Sequence, residues 1–316
     1  MSSHKKYDTL YSMLDLVIVG GSSAGAAAGV YAARRGLKFK LLTRDFNGEL
    51  ATSGDIGNWL GTIKTDGIEL AGKFREHLES YKVDIEEGFE VNAIERDQNG
   101  IFTVKDANGK SYEAKTVILA TGAHARELNI PGEKEFRLKG VSYCTTCDGP
   151  IFAGKVTATI GGGNSALESA LMLADICTKV YVINKNTEFK GEQVLIDNLR
   201  AKTNVEIIFS ASTKEIFGTE FVQGLRYELK AKSCELSVDG IFVHIGMIPN
   251  SSMAPEGIEL NEFKEIKVNL QSETNIPGFY AAGDVTNVAF KQNMIAAGQG
   301  TTALLSAVGY LNRLAK

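Results

Sequence analysis

Two thiols, Cys144 and Cys147, stand two residues apart with an acid directly behind the second, in Cys144-Thr145-Thr146-Cys147-Asp148-Gly149. That spacing lets the pair close a small ring. In such motifs the thiol pKa falls well below its free value of about 8.5, so a thiolate is available at neutral pH. Asp148 is placed to move the proton. The competing chemistry is half of a zinc site, which needs four ligands and a second Cys/His pair. The other cysteines, Cys177 and Cys234, stand alone, and His4, His77, His124 and His244 are scattered. Reversible disulfide chemistry is the better fit, and no metal is expected. Cys177, on an apolar helix face, reads as core.

The elements that must hold these thiols follow a grammar used twice. Residues 16–19 form a short apolar run entering Gly20-Gly21-Ser22-Ser23-Ala24-Gly25, and an alanine-rich helical stretch follows. Residues 156–160 do the same, entering Gly161-Gly162-Gly163-Asn164-Ser165-Ala166 and then a helix through Leu171, Leu173 and Ile176. Each continues into another strand, at 39–42 and at 180–183. This is the βαβ dinucleotide unit. Its turn glycines let backbone approach a pyrophosphate, and the helix N-terminus offers unpaired N–H groups and the positive end of a dipole. One match would be weak; two, separated by a CxxC, are strong. Between them, 101–104 and 116–119 read as antiparallel strands about the Ala107-Asn108-Gly109 turn. Thr121-Gly122 follows an apolar strand and is echoed by Ile245-Gly246 and by Tyr280-Ala281-Ala282-Gly283-Asp284. An acid after strand and glycine suits a ribityl or ribose hydroxyl. We place domain boundaries where these motifs change, so that 123–244, carrying the CxxC, is inserted between 1–122 and 245–316.

Composition sets the outer limits. The chain has 316 residues, 44% of them hydrophobic, enough for two cores. A net charge of -4 and a pI near 5.7 supply no basic field for phosphate backbones, so nucleic acid is not an expected partner. Lys5 and Lys6 precede a mixed stretch without the apolar core of a signal peptide. No window approaches the roughly 18 apolar residues of a membrane span. The expectation is a soluble cytoplasmic protein, where a CxxC disulfide is transient and catalytic.

From Leu16 to the C-terminus the chain resembles the low-molecular-weight thioredoxin reductases, which are class II pyridine nucleotide-disulfide oxidoreductases. Residues 143–152 (Tyr-Cys-Thr-Thr-Cys-Asp-Gly-Pro-Ile-Phe), Gly161 to Ala166, Ile248-Pro249-Asn250 and Glu273-Thr274-Asn275 through Asp284 look closest to the reductase core of the flavoprotein component of alkyl hydroperoxide reductase. That branch carries an extra N-terminal thioredoxin-like module; only a short lead precedes the first strand here, which implies that any dithiol relay is a separate protein. The resemblance implies an α/β fold of two Rossmann-like domains of the three-layer ββα type, the NAD(P) domain (123–244) inserted into a discontinuous FAD domain (1–122 and 245–316), and a homodimer. It implies electron flow from nicotinamide to flavin, to the Cys144/Cys147 disulfide, and to a thioredoxin-like dithiol protein. By the family pattern Cys147 lies nearer the flavin, Cys144 attacks the partner disulfide, and Asp148 is acid and base.

Carried over by position, FAD contacts fall on Gly20, Ser22, Ser23, Ala24, Gly25, Thr43, Glu49, Leu50, Asn58, Val91, Gly122, Gly283, Asp284, Lys291, Gln292 and Asn293. NAD(P) contacts fall on Gly161, Gly163, Asn164, Ser165, Asn184, Lys185, Lys190 and Gly246. Trp59 either belongs with Asn58 at the isoalloxazine surroundings or is simply packed. Ser22 replaces the usual middle glycine of the first fingerprint, and its hydroxyl can donate to a phosphate. After the second βαβ strand, NADPH-using members carry His-Arg-Arg-x-x-x-Arg and NADH-using members an acid at the first position. This chain has Asn184-Lys185-Asn186-Thr187-Glu188-Phe189-Lys190, so the choice between NADH and NADPH stays open. Two variants of the function remain beside thioredoxin reduction: service to a peroxiredoxin system through a separate thioredoxin- or glutaredoxin-like carrier, and electron supply from ferredoxin, against which the intact second fingerprint argues. A nucleotide-sensing or zinc-bearing module without turnover is the non-enzymatic alternative.

Overall fold

The computed structural model describes residues 13–46, 48–52 and 55–316; Lys5 and Lys6 lie outside the described residues. The chain divides into two compact units. One comprises the residues up to Leu50 with Ile68–Ala123 and Pro249–Lys316, and the other comprises Ala51–Gly67 and His124–Ile248.

In the first unit, strand Leu14–Val19 lies between parallel neighbours Phe39–Thr43 and Ser111–Leu119, which explains why its sequence is apolar on both faces. The two faces feed different cores. Leu16 and Ile18 pack with Ala28, Ala32 and Leu304 of helices Ser23–Arg34 and Asn293–Leu314, whereas Val17 and Val19 pack with Phe102, Val104 and Tyr112. The strand Ser111–Leu119 belongs to both layers. Its first half pairs antiparallel with Phe102–Asp106 and alternates buried with exposed residues, and its second half pairs parallel with Phe279–Ala281 and is buried throughout. Helix layer, parallel layer and antiparallel layer follow from that one strand.

The second unit repeats the plan. Strands Val141–Ser142, Gly240–Val243, Val156–Ile160, Lys179–Asn184 and Val205–Phe209 lie in that order, all parallel. Val180, Val182 and Phe242 face Leu167, Ala170 and Leu173 of helix Asn164–Ile176, while Ala158, Ile160 and Val243 face the antiparallel strands Ala211–Gly218 and Val222–Leu229. Both dinucleotide turns therefore sit where the sequence puts them, between first strand and first helix. Compactness differs from the sequence boundaries in two respects: the inserted segment runs from His124 to Ile248 rather than over 123–244, and an earlier stretch joins it. Ala51–Gly67 groups with the second unit because its short strand Asp55–Ile56 lies against the helix Thr145–Asp148. No described helix is long and apolar enough to cross a membrane.

The long last helix touches the first through bare backbone. A Cβ at Gly300 would lie 2.0 Å from the carbonyl oxygen of Ala24, whereas one at Gly298, two residues away in the same helix, would meet nothing. Gly300→Ala should therefore destabilise the protein by about 1–3 kcal/mol. Gly298→Ala should stabilise it by about 0.4–1 kcal/mol through the entropy of the unfolded chain. Denaturant midpoints of the two variants, expected to shift in opposite directions, check this.

Candidate active site

Cys144 and Cys147 are joined in a disulfide, with Cα atoms 5.3 Å apart. Cys144 has extended backbone and caps the four-residue helix Thr145–Asp148, its Sγ accepting the Cys147 N–H at 3.2 Å. Asp148 is buried, at 9% exposure, and a carboxylate so placed needs donors. The Ser142 hydroxyl donates to Asp148 Oδ2 at 2.6 Å and accepts the Cys144 N–H at 3.1 Å. One serine thus ties the Asp148 carboxylate to the backbone of Cys144.

Beneath the dithiol helix runs a second polar chain. Thr145 Oγ1 lies 2.6 Å from Ser169 Oγ and 2.8 Å from His244 Nε2. Burial pushes the His244 pKa down to about 4, so the ring is neutral at physiological pH. On the other side, Glu133 is fully buried and accepts the Tyr143 hydroxyl at 2.8 Å and the N–H groups of Leu128 and Asn129 at 2.7 Å each. Ser142, Thr145, Ser169, Glu133 and His244 are not among the sequence-derived site residues. Thr145 stands inside the motif but its residue type names no role, and the other four are ordinary polar residues until the fold sets them around it. Cys177 is buried against Phe152, as its apolar context indicates.

In the second unit Gly161, at φ +149°, runs so close to His244 that a Cβ there would lie 2.2 Å from its carbonyl oxygen. Helix Asn164–Ile176 begins immediately beyond, with no side chain capping its N-terminus and no acid in its first turn. Open N–H groups at a dipole's positive end are what a pyrophosphate requires, so the residues fit a dinucleotide. Gly163 and Ser165 are exposed there. Asn164 is engaged by Glu192, accepting its N–H at 2.8 Å and donating to its carboxylate at 3.1 Å. The loop after Lys179–Asn184 is pinned across this turn by the Lys190 N–H, which donates to the Gly162 carbonyl at 2.8 Å, and by buried Phe189. Lys185 and Lys190 are exposed. Asn184 behaves otherwise than a free ribose ligand: it is 1% exposed, donates to the Glu188 carbonyl at 2.9 Å and accepts the Asn186 N–H at 3.0 Å. Its carboxamide shapes the loop on which the lysines stand. Gly246, at φ +116°, accepts the Arg126 N–H at 2.9 Å.

The first unit presents the matching turn. A Cβ at Gly20 would lie 2.3 Å from the Ala120 carbonyl, and one at Gly25 would lie 1.8 Å from the Gly20 carbonyl. Ser22 is extended at the N-cap, makes no capping bond, and no acid occupies the first turn of Ser23–Arg34. This N-terminus, too, fits a dinucleotide phosphate. The chain's two ends converge on it. Ser23 Oγ donates to Asn293 Oδ1 at 3.0 Å, and Gly283, at φ +79°, brings its backbone against Ala24. Asp284 is half-buried, which pushes its pKa up, and Lys291 opposes that rise. Lys291 is itself tied to Glu265 at 2.8 Å and to the Thr286 carbonyl at 2.6 Å, so it braces the Asp284 loop. Thr121 and Asn250 exchange bonds of 2.7 and 2.8 Å, holding Gly122 at φ +67°. Gln292 is the extended N-cap of the last helix, and Leu50 and Val91 are buried. Thr43 closes its strand, Glu49 lies on the turn Gly48–Thr52, and Asn58 lies in Ala51–Gly67.

The pyridine nucleotide-disulphide oxidoreductase family description matches residues 14–300. The F subunit of alkyl hydroperoxide reductase in Pseudomonas putida is 44% identical over 95% of this chain, and its Escherichia coli K12 counterpart is 41% identical over 95%. The chain spans 58% of the length of each. Thioredoxin reductase from Streptococcus pyogenes MGAS5005 superposes with a TM-score of 0.89 at 32% identity, covering 95% of this chain and 99% of that one. The enzyme from Giardia duodenalis gives 0.88 at 28%, with the same coverage. With its disulfide falling, along the chain, between two turns of the order strand, glycine turn and helix, the chain belongs to the pyridine nucleotide-disulphide oxidoreductases, as a thioredoxin-reductase-like member close to the reductase core of the alkyl hydroperoxide reductase F protein.

Proposed function

We propose that the protein is an FAD-dependent disulfide reductase that takes electrons from NADH or NADPH and delivers them, through Cys144 and Cys147, to a thioredoxin-like dithiol protein. The observation that carries this reading is the Cys144–Cys147 disulfide with Asp148 buried behind it, in a unit that also presents an open dinucleotide turn. FAD would be held by residues 20–25, Gly283, Asp284 and Asn293, and the nicotinamide nucleotide by residues 161–165, Lys185 and Lys190. When bound, they supply the two electrons that open the disulfide.

The rest is thiol chemistry. The Cys144 thiolate attacks one sulfur of the partner disulfide, forming a mixed disulfide and releasing a partner thiolate. Cys147 then attacks Cys144 Sγ, restoring the internal disulfide and releasing the second partner thiolate. Two protons go to the partner: Asp148, oriented by Ser142, carries the one drawn from Cys147, and solvent supplies the other, which left Cys144 when its thiolate formed. As a second reading, the 44% identity to the alkyl hydroperoxide reductase F protein favours a peroxiredoxin system as the final recipient, reached through a separate carrier. Either way we read the protein as a cytoplasmic homodimer, by analogy with the family.

Cys144→Ser should abolish reduction of a protein disulfide and leave flavin reduction by nicotinamide intact, because that sulfur acts after the flavin. Asp148→Asn should slow turnover by roughly 10²- to 10⁴-fold. Stopped-flow absorbance of the flavin, beside a steady-state assay with a thioredoxin, separates the two steps; equal loss of flavin reduction in Cys144→Ser refutes the order.

With Asn184 spent on the loop, the exposed Lys185 and Lys190 would meet the nucleotide's 2′ substituent, and they lack the planar fork of arginine. kcat/KM for NADH and NADPH should differ by less than about 10²-fold, equivalent to about 2.7 kcal/mol. The NADPH value should fall more steeply with salt, and Lys185→Ala with Lys190→Ala should remove that difference. A wild-type preference of about 10³-fold or more would place the selection elsewhere.

A further inference from the structure

We propose that His244 is a positioning residue for the redox dithiol. Its neutral ring, through the Thr145 hydroxyl, fixes the helix that aims the Cys147 N–H at Cys144 Sγ. The inference rests on the disulfide-reductase reading and adds to it a residue outside both the CxxC and the dinucleotide fingerprints.

Three observations carry it. First, His244 is held from its own backbone: its N–H donates to the Ile160 carbonyl at 2.8 Å, and its carbonyl lies under Gly161, where a Cβ would come within 2.2 Å. A ring attached to so constrained a peptide is a fixed anchor. Second, the ring's Nε2 is 2.8 Å from Thr145 Oγ1, which is 2.6 Å from Ser169 Oγ, and Thr145 and Ser169 are only 5% and 4% exposed. Removing the ring takes one of these two partners from a hydroxyl that water does not reach. Third, Thr145 is the first residue of the helix Thr145–Asp148, next to Cys144, and that single turn carries both Cys147 and Asp148. A turn of four residues has little rigidity of its own, so a side-chain anchor at its start decides where its N–H groups point.

The ring remains neutral because burial disfavours its charged form, so it adds no positive charge to the thiolate's surroundings. Its effect is geometric, through the hydrogen bond from Cys147 N–H to Cys144 Sγ. Weakening one such bond corresponds to roughly a threefold to tenfold change in the equilibrium it stabilises.

The test is the pH dependence of iodoacetamide alkylation of Cys144 in dithiothreitol-reduced protein, followed by mass spectrometry of the Cys144 peptide. Relative to wild type, His244→Ala should change the rate at pH 7 by about threefold to tenfold and raise the midpoint of the profile. Thr145→Val, which removes only the hydroxyl, should do the same. His244→Gln, which keeps a hydrogen-bonding group at similar reach and cannot titrate, should recover most of the wild-type profile. If His244→Ala does not fold, Thr145→Val decides the matter alone. Unchanged profiles in the folded variants overturn the proposal, as does a His244→Gln profile as perturbed as that of His244→Ala. Failure of the reductase reading is seen separately, as absence of flavin reduction by NADH and NADPH in the wild-type protein.

Discussion

Backbone lying directly on backbone is the constraint from which the rest of this structure follows. At Gly25, Gly161 and Gly300 even a single methyl group would stand about 2 Å from a carbonyl oxygen. Because nothing intervenes at Gly25, the chain turns from Leu14–Val19 into Ser23–Arg34 within a few residues and leaves the helix's first N–H groups open. Because nothing intervenes at Gly300, the last helix lies against the start of the first, and segments almost the full chain length apart complete one turn through the Ser23 to Asn293 bond. At Gly161 the same closeness sets His244 beside the second turn. A side chain at any of these positions would meet a carbonyl oxygen and force the neighbouring backbone to shift.

Around the dithiol the governing problem is different. Asp148 must be near the sulfurs to move a proton in the proposed chemistry, and the same proximity takes it out of water. Hydroxyl groups resolve this. Ser142 donates to the carboxylate while its oxygen receives the Cys144 N–H, so one hydroxyl serves both the acid and the backbone of the first cysteine. Thr145, Ser169 and His244 do the equivalent work below the helix with neutral groups alone.

The two units obey the same layer rule yet expose different chemistry at the carboxyl ends of their parallel strands. In the first, Asp284 stands half-buried on a loop braced by Lys291 and Glu265. In the second, Lys185 and Lys190 stand out in solvent on a loop braced by Asn184. Lys291 and Asn184, ligand contacts by the family pattern, both spend polar atoms on bracing their own loops.

The sequence by itself determined the features that depend on local chain properties. Strand, glycine turn and helix are contiguous in the chain, and so are Cys144, Cys147 and Asp148, so their types and spacing already specify two dinucleotide turns and a dithiol. Burial of Cys177 was legible for the same reason. Only the tertiary structure decided what satisfies the buried polar atoms, because Ser142, Ser169 and His244 reach the site from separate elements and carry no local pattern. It also decided that Asn184 faces inward, since a strand-end asparagine can serve a ligand or its own turn equally well until Phe189 and Gly162 fix the loop. The grouping of Ala51–Gly67 with the dithiol unit was likewise beyond the sequence, because contact between a two-residue strand and a one-turn helix leaves no periodicity to read.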